Sequence, residues 1–397
     1  MLKRTFFSLL LIFLFSLFLR LSVEAVKFPS AGLALKNAVL RTGPGADFDR
    51  VGIIPEGAKI DVLSNVHGWC KVKCGSFIFF TEEDDIKLLN VRYNSDLSVV
   101  NLIKISTQDN LSRVAFRLTD ICPYSVTEED DSVTVVFYNT LSGLFENIHS
   151  INENDIKYAE RVILYPFASC YKIKLKHRLW GYDAGFRDKN FVISFKPAPE
   201  IEKNSLKGAV VVLDAGHGGA DPGAVGILGL NEKTVNLKLV MKLKELLQND
   251  QAKVILTRSG DFELAPDGSS AYDELKARVD IGYLENATIF ISVHNNAMPD
   301  IEDARVATGT YTYFYRNMSM SLAECITKEL SQVNNENKAA YINRSFHVIR
   351  QTYMPSVLIE VTFISNPNEE KKLLDENYIN SSAEAVFNGI KNFFKNK

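Results

Sequence analysis

The stretch Val210-Val211-Val212-Leu213-Asp214-Ala215-Gly216-His217-Gly218-Gly219 runs into a Gly/Pro-rich loop and then into Asn231-Glu232, the head of a long helical pattern. A short β-branched run bounded by glycine reads as a buried strand. Buried strands of α/β folds deliver their last side chains to one sheet edge, where chemistry collects. His217 sits in that turn among Gly216, Gly218, Gly219 and Gly223, a backbone that can wrap closely around something small. A His from a strand end and a Glu from a helix start suit a metal better than a core. Gly216-x-Gly218 lacks the Lys-Ser/Thr pair of a phosphate loop, which removes that reading.

Toward the C-terminus, strands and helices alternate. Val235, Leu239, Val240, Leu243, Leu246 and Leu247 follow Glu232 at a helical period, with lysines opposite. Strands are predicted over 254–256, 288–297, 309–315 and 356–361, and helices over 272–284, 319–333 and 383–394. The pattern predicts an α/β domain at 207–397 with a mostly parallel twisted sheet flanked by helices. Its strands end in His217, His294 and Glu360. The two imidazoles with the Glu232 carboxylate make a ligand set suited to Zn²⁺, leaving a fourth position for water. A further carboxylate can take a proton from that water and pass it to a leaving amine. Glu360, inside the apolar run Val357 to Val361, is the candidate, because a buried-strand carboxylate needs a partner.

Toward the N-terminus the texture differs. Lys3 and Arg4 precede an apolar run over 5–19, and Val23-Glu24-Ala25 offers a small-residue cleavage site. Residues 1–25 therefore read as a secretory signal peptide, with an uncleaved membrane anchor as the alternative. The expected location is extracytoplasmic, in periplasm, wall or medium, with no stable membrane association after cleavage and a monomeric chain. The 397 residues are 46% hydrophobic and 23% charged with net charge −3, so no basic field points to nucleic acid. The cysteines Cys70, Cys74, Cys122, Cys170 and Cys325 match no zinc or redox spacing. Cys70 and Cys74 are about 13 Å apart along one strand, too far to bond without a bend. All five read as buried thiols or undetermined bridges.

Residues 27–90 carry short strands with turn signals at Gly43-Pro44-Gly45 and Pro55-Glu56-Gly57, the layout of a small barrel. The Leu40-Arg41-Thr42-Gly43-Pro44-Gly45 turn and the later Gly68-Trp69-Cys70-Lys71-Val72 resemble bacterial SH3-type domains. Binding of wall material and a plain spacer role both stand. Residues 92–200 are β-rich with a faint internal echo. Arg113 to Leu118, Tyr124 and Val133 to Phe137 parallel Tyr171 to Leu175, Tyr182 and Phe191 to Phe195, suggesting a two-sheet sandwich. This section is similar to the AMIN-type modules preceding some wall amidases; chance likeness of β-rich sequence is the alternative. Residues 196–207 read as a linker.

Asp214 to Gly219, Glu232, Phe290 to Ala297 and Met354 to Pro367 resemble, in order, the zinc-dependent N-acetylmuramoyl-L-alanine amidases of the amidase-3 type. The likeness spans residues 208–395. It implies that His217, Glu232 and His294 hold the metal and that Glu360 is catalytic. The implied reaction is hydrolysis of the amide between the lactyl group of N-acetylmuramic acid and L-alanine of the stem peptide in peptidoglycan. Thr288 stands where that family usually has Asp, and Thr362, where it has Gly, adds bulk near the active carboxylate. Residues 296–309 leave no room for the site-plugging helix of some relatives, so an open site is expected.

Two other readings stay open: a wall-binding or regulatory protein with a dead catalytic domain, and a zinc exopeptidase. The latter calls for a cation on a terminal carboxylate, and the sequence does not place Arg278 or Arg350 in the cleft. His347 reads as a hydrogen-bonded structural group. His67, His149 and His177 read as surface or turn residues. Asn296 either contacts substrate or fixes the loop after His294.

Overall fold

The structure is a computed structural model and describes residues 28–89, 91, 97–142, 148–149, 155–299, 304–334 and 338–395. The expected signal segment lies outside them. The deciding stretch forms β1 (Val210–Ala215) of a sheet that also holds β2 (Lys253–Leu256), β3 (Ile289–Asn296), β4 (Thr310–Phe314), β5 (Ala339–Asn343) and β6 (Ser356–Phe363). Their spatial order is β2-β1-β3-β6-β4-β5. The first four are mutually parallel. β4 runs antiparallel to β6, and β5 is parallel to β4. Among the described residues four of the five strand pairs of this sheet are parallel, and β6–β4 is the antiparallel one.

Six helices flank this sheet among the described residues: α1 (Glu232–Asn249), α2 (Ala271–Leu284), α3 (Met320–Asn334), α4 (His347–Arg350), α5 (Pro367–Leu374) and α6 (Glu376–Lys395). Side chains along a strand alternate between faces. Val211, Leu213, Ile291, Val293, Val357 and Ile359 therefore pack against α1, α3 and α6 in one core. Val212, Phe290 and Leu358 turn to the other face, against Val279 of α2 and Val348 and Ile349 of α4. Burial on both faces explains why β1, β3 and β6 are unbroken apolar runs rather than alternating ones. Ser270 and Asp273 close α2 with a reciprocal capping box.

The N-terminal region is mostly β. An eleven-stranded sheet runs through both expected modules, because Tyr124 pairs with Ile53. The expected boundary near residue 91 is thus crossed by a continuous ladder, although each side keeps its own core. The internal echo has a structural counterpart. Phe191 pairs with Phe116 in one sheet, and Val133 pairs with Ile173 in the other. Each half thus sends one hairpin to each layer around a shared aromatic core of Phe116, Phe137, Tyr171 and Phe191. None of the five cysteines is in a disulfide among the described residues.

The β region is fastened to the catalytic domain. Trp180 belongs to the main catalytic core, with its ring stacked on Phe394 at 5.8 Å and edge-on to Phe393 at 5.5 Å. Met318 reaches the other way, into the middle core. Glu128 accepts from Tyr182 Oη at 2.9 Å and from the Met318 backbone N–H at 3.2 Å, with the half-buried Arg316 guanidinium 3.6 Å away. Residues 196–207, expected as a linker, are anchored near both ends: Lys196 donates to the Ala287 carbonyl at 2.7 Å, and Leu206 is buried. A polar-looking sequence with apolar residues at intervals can lie in a groove as well as in solvent.

Candidate metal centre

His217 follows the end of β1, His294 lies in β3, and Glu232 is the first residue of α1. One ligand atom from each falls within 4.8 Å of the others. His217 Nε2 is 3.1 Å from Glu232 Oε2, His294 Nδ1 is 3.0 Å from Glu232 Oε1, and the imidazole centroids are 4.9 Å apart. His217 has φ of 62°, an unusual backbone state for a residue with a side chain. It is held there by the turn, and strain of this kind collects at functional sites. Two glycines are required by close approach. A Cβ on Gly216 would lie 2.1 Å from the His294 ring, and one on Gly223, at φ +66°, would lie 2.6 Å from Glu232 Oε2.

Outer contacts fix these groups. His217 Nδ1 meets Asp221 Oδ2 at 2.7 Å, the carboxylate–imidazole arrangement that orients metal-binding histidines. Asp221 also accepts from the Gly223 N–H at 2.9 Å. Glu232 accepts from the N–H groups of Ala224 (2.9 Å) and Asn295 (3.1 Å). Burial works against a charged His217 imidazole, yet Glu232 and Asp221 hold its pKa up at about 9. Burial alone would raise the Glu232 carboxyl; the two histidines outweigh it and hold it far below the usual range. One carboxylate between two imidazoles is a donor set that fits a divalent cation of borderline softness once both rings are neutral.

Beneath the turn lies a buried polar layer that sequence reading missed. Arg258 donates to the carbonyls of Ala215 (2.9 Å) and Gly216 (3.0 Å). Arg278 pairs with Asp214 at 2.7 Å and donates to the His217 carbonyl at 2.9 Å. Asp214 also accepts from Thr257 and Ser292, each at 2.7 Å. The signal for Asp214 was present, since an acid ending a buried strand must be partnered. Nothing in the sequence says which arginines answer it.

Glu360 lies beside His294 in the β3–β6 register. Its Oε2 is buried without a hydrogen-bond partner among the described residues. Burial, then the Glu232 carboxylate nearby, push its pKa well above the ordinary range, with His217 opposing. Both catalytic-edge histidines and Glu360 line a cavity of about 590 Å³, together with Asp221, Glu274 and His347. Among the described residues nothing from 297–309 lines it.

The family model for N-acetylmuramoyl-L-alanine amidase (Amidase_3) matches residues 211–392. The germination-specific N-acetylmuramoyl-L-alanine amidase of Bacillus subtilis is 33% identical over 200 residues, 48% of this chain and 82% of that protein. The chain belongs to the N-acetylmuramoyl-L-alanine amidase family. It is an enzyme that hydrolyses the amide bond between muramic acid and stem peptide in peptidoglycan. The probable cell wall amidase LytH of Staphylococcus epidermidis is 32% identical over 201 residues, covering 49% of this chain and 61% of that protein. The catalytic domain of CwlV from Bacillus (Paenibacillus) polymyxa is 36% identical, with a TM-score of 0.43, and covers 48% of this chain and 99% of that chain.

Several secondary readings of the amidase sequence are now placed. Arg278 borders the cavity but is engaged by Asp214 and Glu274, and Arg350 is not in its wall. Neither is a free cation inside the cleft for an exopeptidase's terminal carboxylate. Thr362 is buried and donates to Glu369 of α5 at 2.6 Å, so its bulk is absorbed by that helix and it is absent from the cavity wall. Thr288 accepts from the Val210 N–H at 3.0 Å, tying the start of β1. Asn296 accepts from the Ala297 N–H at 2.8 Å and lies outside the cavity wall, the loop-fixing alternative. His347 departs from the expectation of a hydrogen-bonded structural group. It lines the cavity as the first residue of α4, edge-on to Tyr272 at 5.2 Å.

Proposed function

We propose that this enzyme is a zinc-dependent, extracytoplasmic amidase in which His217, Glu232 and His294 hold the ion and Glu360 transfers the proton. The convergence of the three ligand atoms beside an unpartnered, buried Glu360 oxygen carries the reading. Zinc bound there supplies a Lewis acid and a water of lowered pKa. Glu360 accepts the proton of the attacking water, its raised basicity matched to that task, and returns it to the departing L-alanine amine. Asp221 holds the His217 tautomer that presents Nε2 to the site. The bond broken is the lactyl–alanine amide, leaving a lactyl carboxyl and a free peptide amine.

The domain reading that supports this function is a signal segment at 1–25, an SH3-like module at 27–90, an AMIN-like module at 92–200 and the catalytic domain at 207–397. The β modules localise the enzyme on the wall. Among the described residues no helix is long and apolar enough to cross a membrane. The test is metal analysis with mass spectrometry of digested peptidoglycan. Expected are one zinc per chain and stem peptides beginning with L-alanine. Glu360→Gln should retain zinc and lose about 10²–10⁴-fold in kcat, while His217→Ala should lose both. Wild-type turnover in Glu360→Gln would remove that residue from the mechanism.

A further inference from the structure

The catalytic side of the sheet continues past the cavity as a row of aromatic rings. Tyr311 of β4 stands opposite Glu360 in the antiparallel β4–β6 pair, and Tyr313 stands opposite Leu358. Residues directly opposite in such a pair project to the same face, and Glu360 and Leu358 both line the cavity. The two tyrosine rings are stacked, with centroids 6.5 Å apart and planes 13° from parallel. Tyr313 meets Phe346 edge-on at 5.0 Å. Phe346 and its neighbour His347 belong to the cavity wall, and His347 packs edge-on against Tyr272 at 5.2 Å. The rings stay open to solvent. Tyr272 is 60% and Phe346 41% exposed, and Tyr311 and Tyr313 are half-buried. Among the described residues the His347 imidazole has no hydrogen-bond partner.

Open apolar rings that continue a catalytic cavity mark a ligand-binding groove. An amidase substrate has two arms, a glycan strand on the carbonyl side of the scissile bond and a peptide on the amine side. Charge and ring chemistry together choose the glycan. Asp221, Glu263 and Glu274 line the cavity, and its one arginine, Arg278, is engaged by Asp214 and Glu274. A stem peptide ends in a carboxylate, which such a wall repels. N-acetylated sugars whose lactyl groups are in amide linkage are uncharged, and their hydroxyls donate to carboxylates. The negative face of an aromatic ring attracts the polarised C–H groups on one side of a pyranose. A row of rings therefore suits a row of sugars. The two nitrogens of His347 add a donor and an acceptor for a hydroxyl or an acetamido group.

We propose that Tyr311, Tyr313 and Phe346, with His347 and Tyr272 at the far end, form a saccharide subsite that seats the glycan strand beside the scissile amide. The inference rests on the amidase reading for the identity of the substrate. The enzyme thereby favours a stem peptide still carried on a strand over the same amide without its sugars.

The test uses the full chain and two amide substrates with the same stem peptide, one on a tetrasaccharide of N-acetylglucosamine and N-acetylmuramic acid and one on D-lactate alone. The ratio of their kcat/KM values reads the subsite, because damage to the catalytic centre lowers both and leaves the ratio. Phe346→Ala and Tyr272→Ala should each reduce the ratio about three- to tenfold, mainly through KM, the scale of one aromatic contact. Phe346→Tyr should restore it. Melting temperatures report folding, and Tyr272 is exposed enough for its variant to fold. A wild-type ratio near unity, or one that neither alanine variant changes, overturns the subsite. Variants that instead alter the preference between a long and a short peptide on the same sugar show that the rings seat the peptide, which also overturns it. Calorimetry with chitotetraose, an uncharged chain of N-acetylated sugars with no stem peptide, scores binding apart from cleavage. Wild type should bind it and the alanine variants should bind it less; no binding by wild type overturns the subsite. Binding by these rules with no release of L-alanine peptide from either substrate refutes the amidase reading and leaves the subsite standing.

Discussion

At the scale of single residues, the centre depends on the absence of atoms as much as on ligands. Gly216 lies between two functional histidines in space, and its missing side chain is what lets the His294 ring approach. Gly216→Ala would place a methyl 2.1 Å from that ring, a separation real Cβ atoms do not show. The ring must then move by about an ångström, which costs on the order of 10²-fold in rate for a misplaced catalytic centre. The expected outcome is a folded protein with weakened zinc retention against a chelator and kcat/KM down by about 10²-fold. Wild-type zinc retention would show that the ring has room to yield. The convergence of His217, Glu232 and His294, with Glu360 beside His294, was legible in the sequence because polar groups closing buried strands, and one opening the helix after the first, are brought to one sheet edge. Asp221 was not, since Asp-Pro-Gly reads first as a turn. Arg258 and Arg278 were not, because the turn carbonyls they bond, and the Asp214 that Arg278 pairs with, meet them only in the folded chain.

At the scale of elements, the buried strands are legible as apolar runs, but β5 and the reversal between β6 and β4 are not. β5 is short and half-exposed, with little pattern to announce it, and α5 is a polar-looking helix with Glu369 and Glu370 buried. α5 has a clear task. Glu370 is fully buried and accepts from the N–H groups of Leu228 (2.8 Å) and Leu230 (3.1 Å). It thereby clamps the far end of the same loop that carries Asp221 and Gly223. Glu370→Ala leaves two amide donors unpaired at about 1–3 kcal/mol each. A lower melting temperature, early proteolytic nicking within 219–230 and faster zinc loss are expected together. If the loop keeps its protease resistance while the melting temperature falls, the clamp acts on the fold and not on the site.

At the scale of the whole molecule, the sequence gives a string of modules and the structure gives modules locked together. Composition shifts reveal where sheet-only texture yields to alternating helices, and they do so near residue 207. They cannot reveal that Trp180 belongs to the core on the far side of that line, or that Met318 belongs to the core on the near side. The α/β pattern of 207–397, taken alone, suggests a self-sufficient domain. Cutting there strips Trp180 from Phe393 and Phe394, uncovers Met318, and leaves Arg316 without Glu128 and Tyr182. Losing a buried Trp alone costs about 3–5 kcal/mol, a large share of the roughly 5–15 kcal/mol that holds a domain together. The fragment 205–397 is therefore expected to unfold at a markedly lower denaturant concentration than the full chain, or to aggregate through the exposed aromatic face. Trp180→Ala in the full chain should reproduce much of that loss. Denaturant titration followed by circular dichroism and Tyr fluorescence makes the comparison, with the middle and catalytic regions expected to melt as one transition. A fragment with the full chain's midpoint would mean that the packing at Trp180 adds nothing to catalytic-domain stability, and that the β region is fastened there for placement alone.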